Sequence, residues 1–175
     1  NLYGLALTSI ELANFDQAQL ILDLFIKRFQ EYNHFHLAYA KLLLAKNNRQ
    51  QAITYLKSII SLSPRNIPLT LYYSEVELNY GSAEISHETL LDLFNNVAPS
   101  PSQIKLIARA ANASGEYAES FSYMGEYYLS IGMFKEAIEQ IKIALTIDSI
   151  TNIQIAKFVA RLSEIEDYLE NTNNR

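Results

Sequence analysis

The chain is built from segments in which apolar residues return with helical period, separated by polar turns, and one turn recurs almost unchanged. Ala13-Asn14-Phe15-Asp16-Gln17-Ala18 is matched by Asn47-Asn48-Arg49-Gln50-Gln51-Ala52, and the closing alanines, at positions 18 and 52, lie 34 residues apart. A third copy reads Gly132-Met133-Phe134-Lys135-Glu136-Ala137. Two antiparallel helices can approach closely only where both present a small side chain. The first helices offer Ala6, Ala40 and Gly125 to such a crossing, and the second helices offer Ala18, Ala52 and Ala137. Large residues at fixed offsets are expected to fill the space around it: Leu5, Tyr39 and Met124, then Leu22, Leu56 and Ile141. Pro64 ends the second copy, because proline cannot continue a helix.

The middle departs from this pattern. Pro68 to Tyr80 reads as a first helix entered through Asn66 or Ile67, and Gly81 to Ile85 as a longer turn. Ser86 is then expected to N-cap a helix running to Asn95, which leaves the small crossing residue missing and the third copy degenerate. Ser100-Pro101-Ser102-Gln103 combines a capping serine, a proline at the first helical position and a glutamine three residues on. That helix should reach about Ala113. The next, from about Glu116 to Ile131, serves as second helix of one pair and first helix of the following pair. Thr151 and Gln154 repeat the capping-box spacing before a last helix to about Glu170. Its apolar face carries Ile155, Phe158, Val159, Leu162, Ile165 and Leu169. Its other face carries Arg161, Glu164, Glu166, Asp167 and Glu170, as a helix closing an open stack would.

A period of 34 residues with small, large and breaker positions in register resembles the tetratricopeptide repeat, closely over residues 1–64 and 118–148. The resemblance implies an all-α fold, a right-handed superhelix of about ten antiparallel helices with a C-terminal capping helix. Residues 1–170 form the repeat domain in this reading, and 171–175 a polar tail.

Composition narrows the function. Hydrophobic residues make up 49% of the 175 residues and charged residues 19%, which suits a packed domain rather than a disordered segment. The net charge is −5, and the 14 Lys and Arg form no basic patch, so a nucleic-acid partner is not expected. No run of 18 apolar residues suggests a membrane span. Cysteine is absent, which removes disulfides, thiolate nucleophiles and Cys-based zinc sites without settling the compartment. The chain opens inside a helical pattern at Asn1-Leu2-Tyr3 with neither an initiator Met nor a signal peptide, and reads as a fragment of a longer protein.

A more specific likeness lies in the C-terminal half. Gly125-Glu126-Tyr127-Tyr128-Leu129, then Gly132, Ala137-Ile138-Glu139-Gln140-Ile141, Ala144-Leu145 and Ala160-Arg161-Leu162 form an ordered series. It resembles the C-terminal region of the BepA-type periplasmic zinc metallopeptidases, and Tyr3-Gly4-Leu5-Ala6-Leu7 resembles the segment after their protease domain. The likeness is weakest at residues 66–100. It implies a periplasmic location and a parent protein whose zinc sits in an HExxH protease domain ahead of the repeats. It also implies a role in outer-membrane protein assembly and quality control. No HExxH occurs in this sequence, so no zinc ligand, general base or cofactor is carried over.

The remaining residues point the same way. His34 and His36 are two apart and so face different sides of a helix, unlike the four-residue spacing of zinc-binding histidines; with His87 they read as ordinary structural residues. No nucleophile elbow or glycine-rich phosphate loop is present, and pairs such as Glu116/Glu119 and Glu164/Asp167 have surface spacing. Twelve tyrosines cluster at Tyr72-Tyr73-Tyr80 and Tyr123-Tyr127-Tyr128. Tyrosine suits protein recognition, while Tyr39 and Tyr128 occupy packing positions, and one of Tyr72 and Tyr73 is expected to be exposed. By register, a protein-binding groove would be lined by Tyr3, Leu7, Ile10, His34, Leu37, Lys41, Leu44, Lys105, Arg109, Ser122 and Glu126, a mixture that suits an extended peptide or partner loop. The sequence therefore predicts a protein-binding scaffold without a catalytic site, its partners proteins or peptides such as outer-membrane assembly components. The alternative is a free-standing adaptor. An adaptor that captures chaperone C-termini needs a Lys/Asn/Arg clamp, and here those positions hold Tyr3, Leu7 and Ala38.

Overall fold

The computed structural model describes residues 2–173. Among them ten α-helices follow one another without a strand: α1 (Leu2–Glu11), α2 (Phe15–Arg28), α3 (Asn33–Ala45), α4 (Arg49–Leu62), α5 (Ile67–Tyr80), α6 (Ala83–Leu93), α7 (Pro101–Ala113), α8 (Tyr117–Ser130), α9 (Phe134–Ala144) and α10 (Asn152–Asn173). They divide into two compact units, Asn1–Ser82 and Ala83–Arg175.

The recurring turn is a helix C-terminus that only certain residues make cheaply. After α1, Ala13 adopts φ 57°, its N–H donates to Ile10 O at 3.1 Å, and the N–H of Asn14 reaches back to Ser9 O at 2.8 Å. This pair of bonds is the Schellman arrangement, which satisfies carbonyls the helix end would otherwise leave open. It recurs after α3, with Asn47 at φ 61° and Asn48 N–H to Leu43 O at 2.8 Å. It recurs again after α7 and α8, where Gly115 and Gly132 hold the left-handed position at φ 87° and 79°. The turn legible in the sequence is thus a backbone reversal that folds each helix onto the next.

In the first unit α1, α2 and α3 enclose one cluster around Ala6, Ala18, Leu22, Ala38 and Leu42, all at most 1% exposed. A second cluster joins α3, α4 and α5 through Ala40, Leu56, Leu69, Tyr73 and Val76. Neighbouring first helices also touch, α1 against α3 and α3 against α5. Leu5 does not fill a crossing as expected: it is exposed and stands outside the cluster, because its neighbour Ala6 is the residue that α1 turns into the core. The α5 end is built differently from the others. Gly81 has φ −125°, and the N–H of Ser82 is held by the Glu77 carboxylate at 3.0 Å, itself buried and bonded to the Tyr73 hydroxyl. A Cβ on Gly81 would collide with Glu77 Oε2 and meet Ile53 Cδ1 at 3.0 Å, so a larger residue here would have to displace the Glu77 carboxylate.

In the second unit α6 packs on α7, α7 on α8, α8 on α9 and α9 on α10. Helix α8 serves two neighbours, as its sequence predicts. Toward α7 it presents Ser120, whose hydroxyl donates to Ala108 O at 2.9 Å. Toward α9 it presents Gly125, where an added Cβ would lie 2.8 Å from Ile141 Cγ1 and 3.3 Å from Ala137 O. Both predicted capping boxes form: Ser100 N–H donates to Gln103 Oε1 at 2.7 Å and Thr151 N–H to Gln154 Oε1 at 2.9 Å.

Ser86 corrects the sequence reading. It is not an N-cap: α6 begins three residues earlier at Ala83, and Ser86 lies inside the helix, fully buried. It stands at position 86, 34 after Ala52, as Ser74 stands 34 after Ala40, and Ser74 is fully buried too. The small residue expected to be missing is a serine. Helix α10 also differs from expectation. Phe158 and Ile165 are buried against α8 and α9, but Ile155 and Val159 are exposed, since the covered stripe is narrower than the apolar one. Helix α10 continues through Asn173, so 171–173 are helical, while 174 and 175 of the predicted tail lie outside the described residues.

Candidate protein-binding surface

The predicted groove residues fall into two sets, one in each unit. In the first unit Tyr3, Leu7 and Ile10 on α1 are half-buried against the first cluster. The Tyr3 hydroxyl donates to His34 O at 3.3 Å, and its ring meets the edges of His34 and Phe35 at 5.2 and 5.4 Å. Leu37 and Leu44 on α3 are likewise half-buried against the second cluster. These apolar members fill the seams between adjacent first helices. His34 and Lys41 are left exposed, with the Lys41 ammonium 5.8 Å from the ring centre of Tyr72 on α5.

Tyr72 and Tyr73 do not split into one buried and one exposed ring. Tyr73 is buried and Tyr72 is half-buried, with its hydroxyl pKa pushed up to about 12, chiefly by desolvation and then by Glu75 and Tyr80. Two adjacent rings find cover because α5 packs on both α3 and α4.

In the second unit Lys105 and Arg109 are exposed on α7, and the Lys105 ammonium sits 4.5 Å from the ring centre of Tyr127 on α8. Ser122 and Glu126 face α10. Ser122 is buried beside Phe158, and the Glu126 carboxylate receives Arg161 Nε at 2.7 Å and Nη2 at 2.8 Å. Arg161 also bonds Glu164 at 2.8 Å, and these bonds, Glu126 first, raise its already high pKa further. A side chain held this way positions α10 before it can meet a partner.

What remains in each unit is an exposed cation lying over a tyrosine ring: Lys41 on Tyr72 in the first, Lys105 on Tyr127 in the second. A ring fixed by burial holds a flexible lysine in place and offers rigid contact area, a combination that suits protein recognition rather than bond-making chemistry. The groove register missed both rings, although the tyrosine clusters at 72–73 and 127–128 were the signal for them.

His36 is buried with both nitrogens engaged: Nε2 lies 2.9 Å from Gln30 O and Nδ1 2.6 Å from the Tyr55 hydroxyl. A carbonyl only accepts, so Nε2 carries a proton, and in the neutral ring Tyr55 donates to Nδ1. Among the described residues no three His, Asp or Glu side chains converge as metal ligands, and no helix is long and apolar enough to cross a membrane.

Comparison with known proteins places the fold. No family model matches the chain, and no curated protein matches its sequence. Solved structures similar to it include the following three. A thermophilic TPR protein from Thermus thermophilus aligns at 20% identity and TM-score 0.51, covering 94% of this chain and 79% of that one. The MamA RS-1 ArsTM double mutant aligns at 12% identity and TM-score 0.64, covering 97% and 95%. A tetratricopeptide repeat protein from Parabacteroides merdae aligns at 17% identity and TM-score 0.50, covering 93% and 56%. The chain has the all-α tetratricopeptide-repeat fold.

Proposed function

We propose that this chain is a protein-binding scaffold whose first helices present the contact surface. The observation that carries this reading is the pairing of exposed cations with fixed tyrosine rings, Lys41 on Tyr72 and Lys105 on Tyr127. Each pair sits on or against a first helix of a fold that buries its small residues elsewhere. Tyrosine is enriched in binding hot spots for its rigid contact area, and the lysine held over each ring adds a positioned charge.

The finer reading rests on the ordered series from Gly125 to Leu162 and its likeness to BepA-type proteins. On that basis the scaffold is the repeat domain of a periplasmic zinc metallopeptidase. It docks the enzyme on outer-membrane assembly machinery or presents substrates to it. Zinc belongs to the protease domain in this reading, and no residue of this chain is assigned to it. A parent reading frame with a signal peptide and an HExxH helix upstream of Asn1 supports the proposal. A start codon shortly upstream with neither feature overturns it in favour of a free-standing adaptor.

The binding surface itself is tested by Lys41→Glu combined with Arg109→Glu. Both side chains are exposed, so circular dichroism and thermal stability should be unchanged. Capture of partner proteins from a periplasmic extract should weaken about tenfold, equivalent to about 1.4 kcal/mol. Unaltered capture would remove these helices from the binding surface.

A further inference from the structure

The second unit carries a cleft that the first-helix surface does not use. Glu84, His87, Glu88 and Leu91 of α6, Ser114, Glu116, Glu119 and Tyr123 at and along α8, and Lys157 of α10 enclose about 460 Å³, within the roughly 300–1,000 Å³ of small-ligand clefts. Four carboxylates meet here against one cation. Lys157 is committed to Glu119, with Nζ 3.2 Å from Oε2, and Gln154 takes the other oxygen at 3.2 Å. None of the ion pairs among the described residues involves Glu84, Glu88 or Glu116.

A second observation is independent of the charge. His87 is 7% exposed, lines the cleft, and its Nε2 has no hydrogen-bond partner. A buried polar atom left unpaired is destabilising, so such an atom beside a cleft marks a place for a missing partner. Burial lowers the His87 pKa, while Glu116, Glu119 and Glu88 pull it back up, which places those carboxylates within electrostatic reach of the ring. Neutral imidazole can accept at Nε2 from a donor.

We propose that this cleft takes the guanidinium of an arginine from a partner polypeptide. A guanidinium has five N–H donors in a planar fork, enough to serve Glu88, Glu116 and His87 together, and its plane stacks on an aromatic face. The chain's own Lys157 already shows that the cleft tolerates a cation near an aromatic ring, 6.0 Å from the centre of Tyr123. The apolar Leu91 gives the arginine stem a surface to lie on. No three carboxylate or imidazole groups converge tightly enough to hold a metal ion among the described residues, which favours an extended organic cation.

The test uses the full chain and N-acetyl-arginine amide as probe, read by the ring Cε1–H NMR signal of His87. Only three histidines are present, and His87→Gln assigns the signal. The probe should shift this signal saturably at millimolar concentration, and the signals of His34 and His36 should not move. Glu88→Gln combined with Glu116→Gln changes two exposed side chains, leaves the circular dichroism spectrum intact, and should weaken the response at least tenfold. An equal shift with the uncharged N-acetyl-glutamine amide, an equal shift with N-acetyl-lysine amide, or an undiminished response in the double variant would each overturn the assignment.

Discussion

At the scale of single residues, the fold rests on small side chains at helix crossings, and two glycines separate that role from mere flexibility. Gly125 is buried: a Cβ there would press on Ile141, which is 1% exposed and cannot yield. Gly125→Ala is therefore expected to destabilise by about 1–2 kcal/mol, overpacking outweighing the gain in helix propensity. Gly4 lies inside α1 with nothing within 4 Å of the same atom, so Gly4→Ala should stabilise by about 0.5–1 kcal/mol. Chemical denaturation should give the two changes opposite signs; matching signs would contradict the crossing role of Gly125. The repeat was legible where the small residue is alanine or glycine and hidden where it is serine. Ser74 and Ser86 are as buried as their alanine counterparts, and Ser120 nearly so, but serine also suits caps and turns, and its hydroxyl gives no sign in the sequence that it will be buried.

At the scale of elements, two helix starts followed from caps. Ser100 and Thr151 cap helices where local sequence put them, because a cap is a short-range interaction, whereas the cap read at Ser86 lies inside α6; the left-handed residues at Ala13, Asn47, Gly115 and Gly132 emerged only with the backbone. Which face of a helix is covered is set by its neighbours, and there the sequence was less informative. Arg161 belongs to the polar face of α10 by pattern, yet it reaches α8 and grips Glu126 with two bonds, a pairing 35 residues apart that no local rule could supply. Arg161→Ala should loosen α10 against α8. The pair is partly exposed, 42% and 34% for the two side chains, so solvent screening limits the loss to about 0.5–1 kcal/mol. Hydrogen exchange should quicken in α10 while α1–α5 stay unchanged. Exchange unaltered in α10 would show that Phe158 and Ile165 hold the helix without the ion pair.

At the scale of the whole molecule, the tetratricopeptide fold was legible because its period is repeated, and repetition survives the loss of any one position. The exposure of the proposed contact surface was legible only in part. Lys41, Lys105 and Arg109 are exposed as the register requires, whereas Tyr3, Leu7, Ile10, Leu37 and Leu44 are drawn into the seams between helices. Apolar residues at groove positions serve the stack first, since burial between helices is worth about 25 cal/mol per Å² whether or not a partner arrives. In the proposed function the charges on tyrosine rings are the groups left to meet a partner. That division is measured by site-specific photo-cross-linking in living cells, with a benzoylphenylalanine at position 41, 105 or 57. Lys57 is exposed on α4, a second helix, and serves as the comparison. Discrete protein adducts are expected from positions 41 and 105 and none from 57. Adducts at 57 alone, or equally at all three, would contradict a binding surface on the first helices.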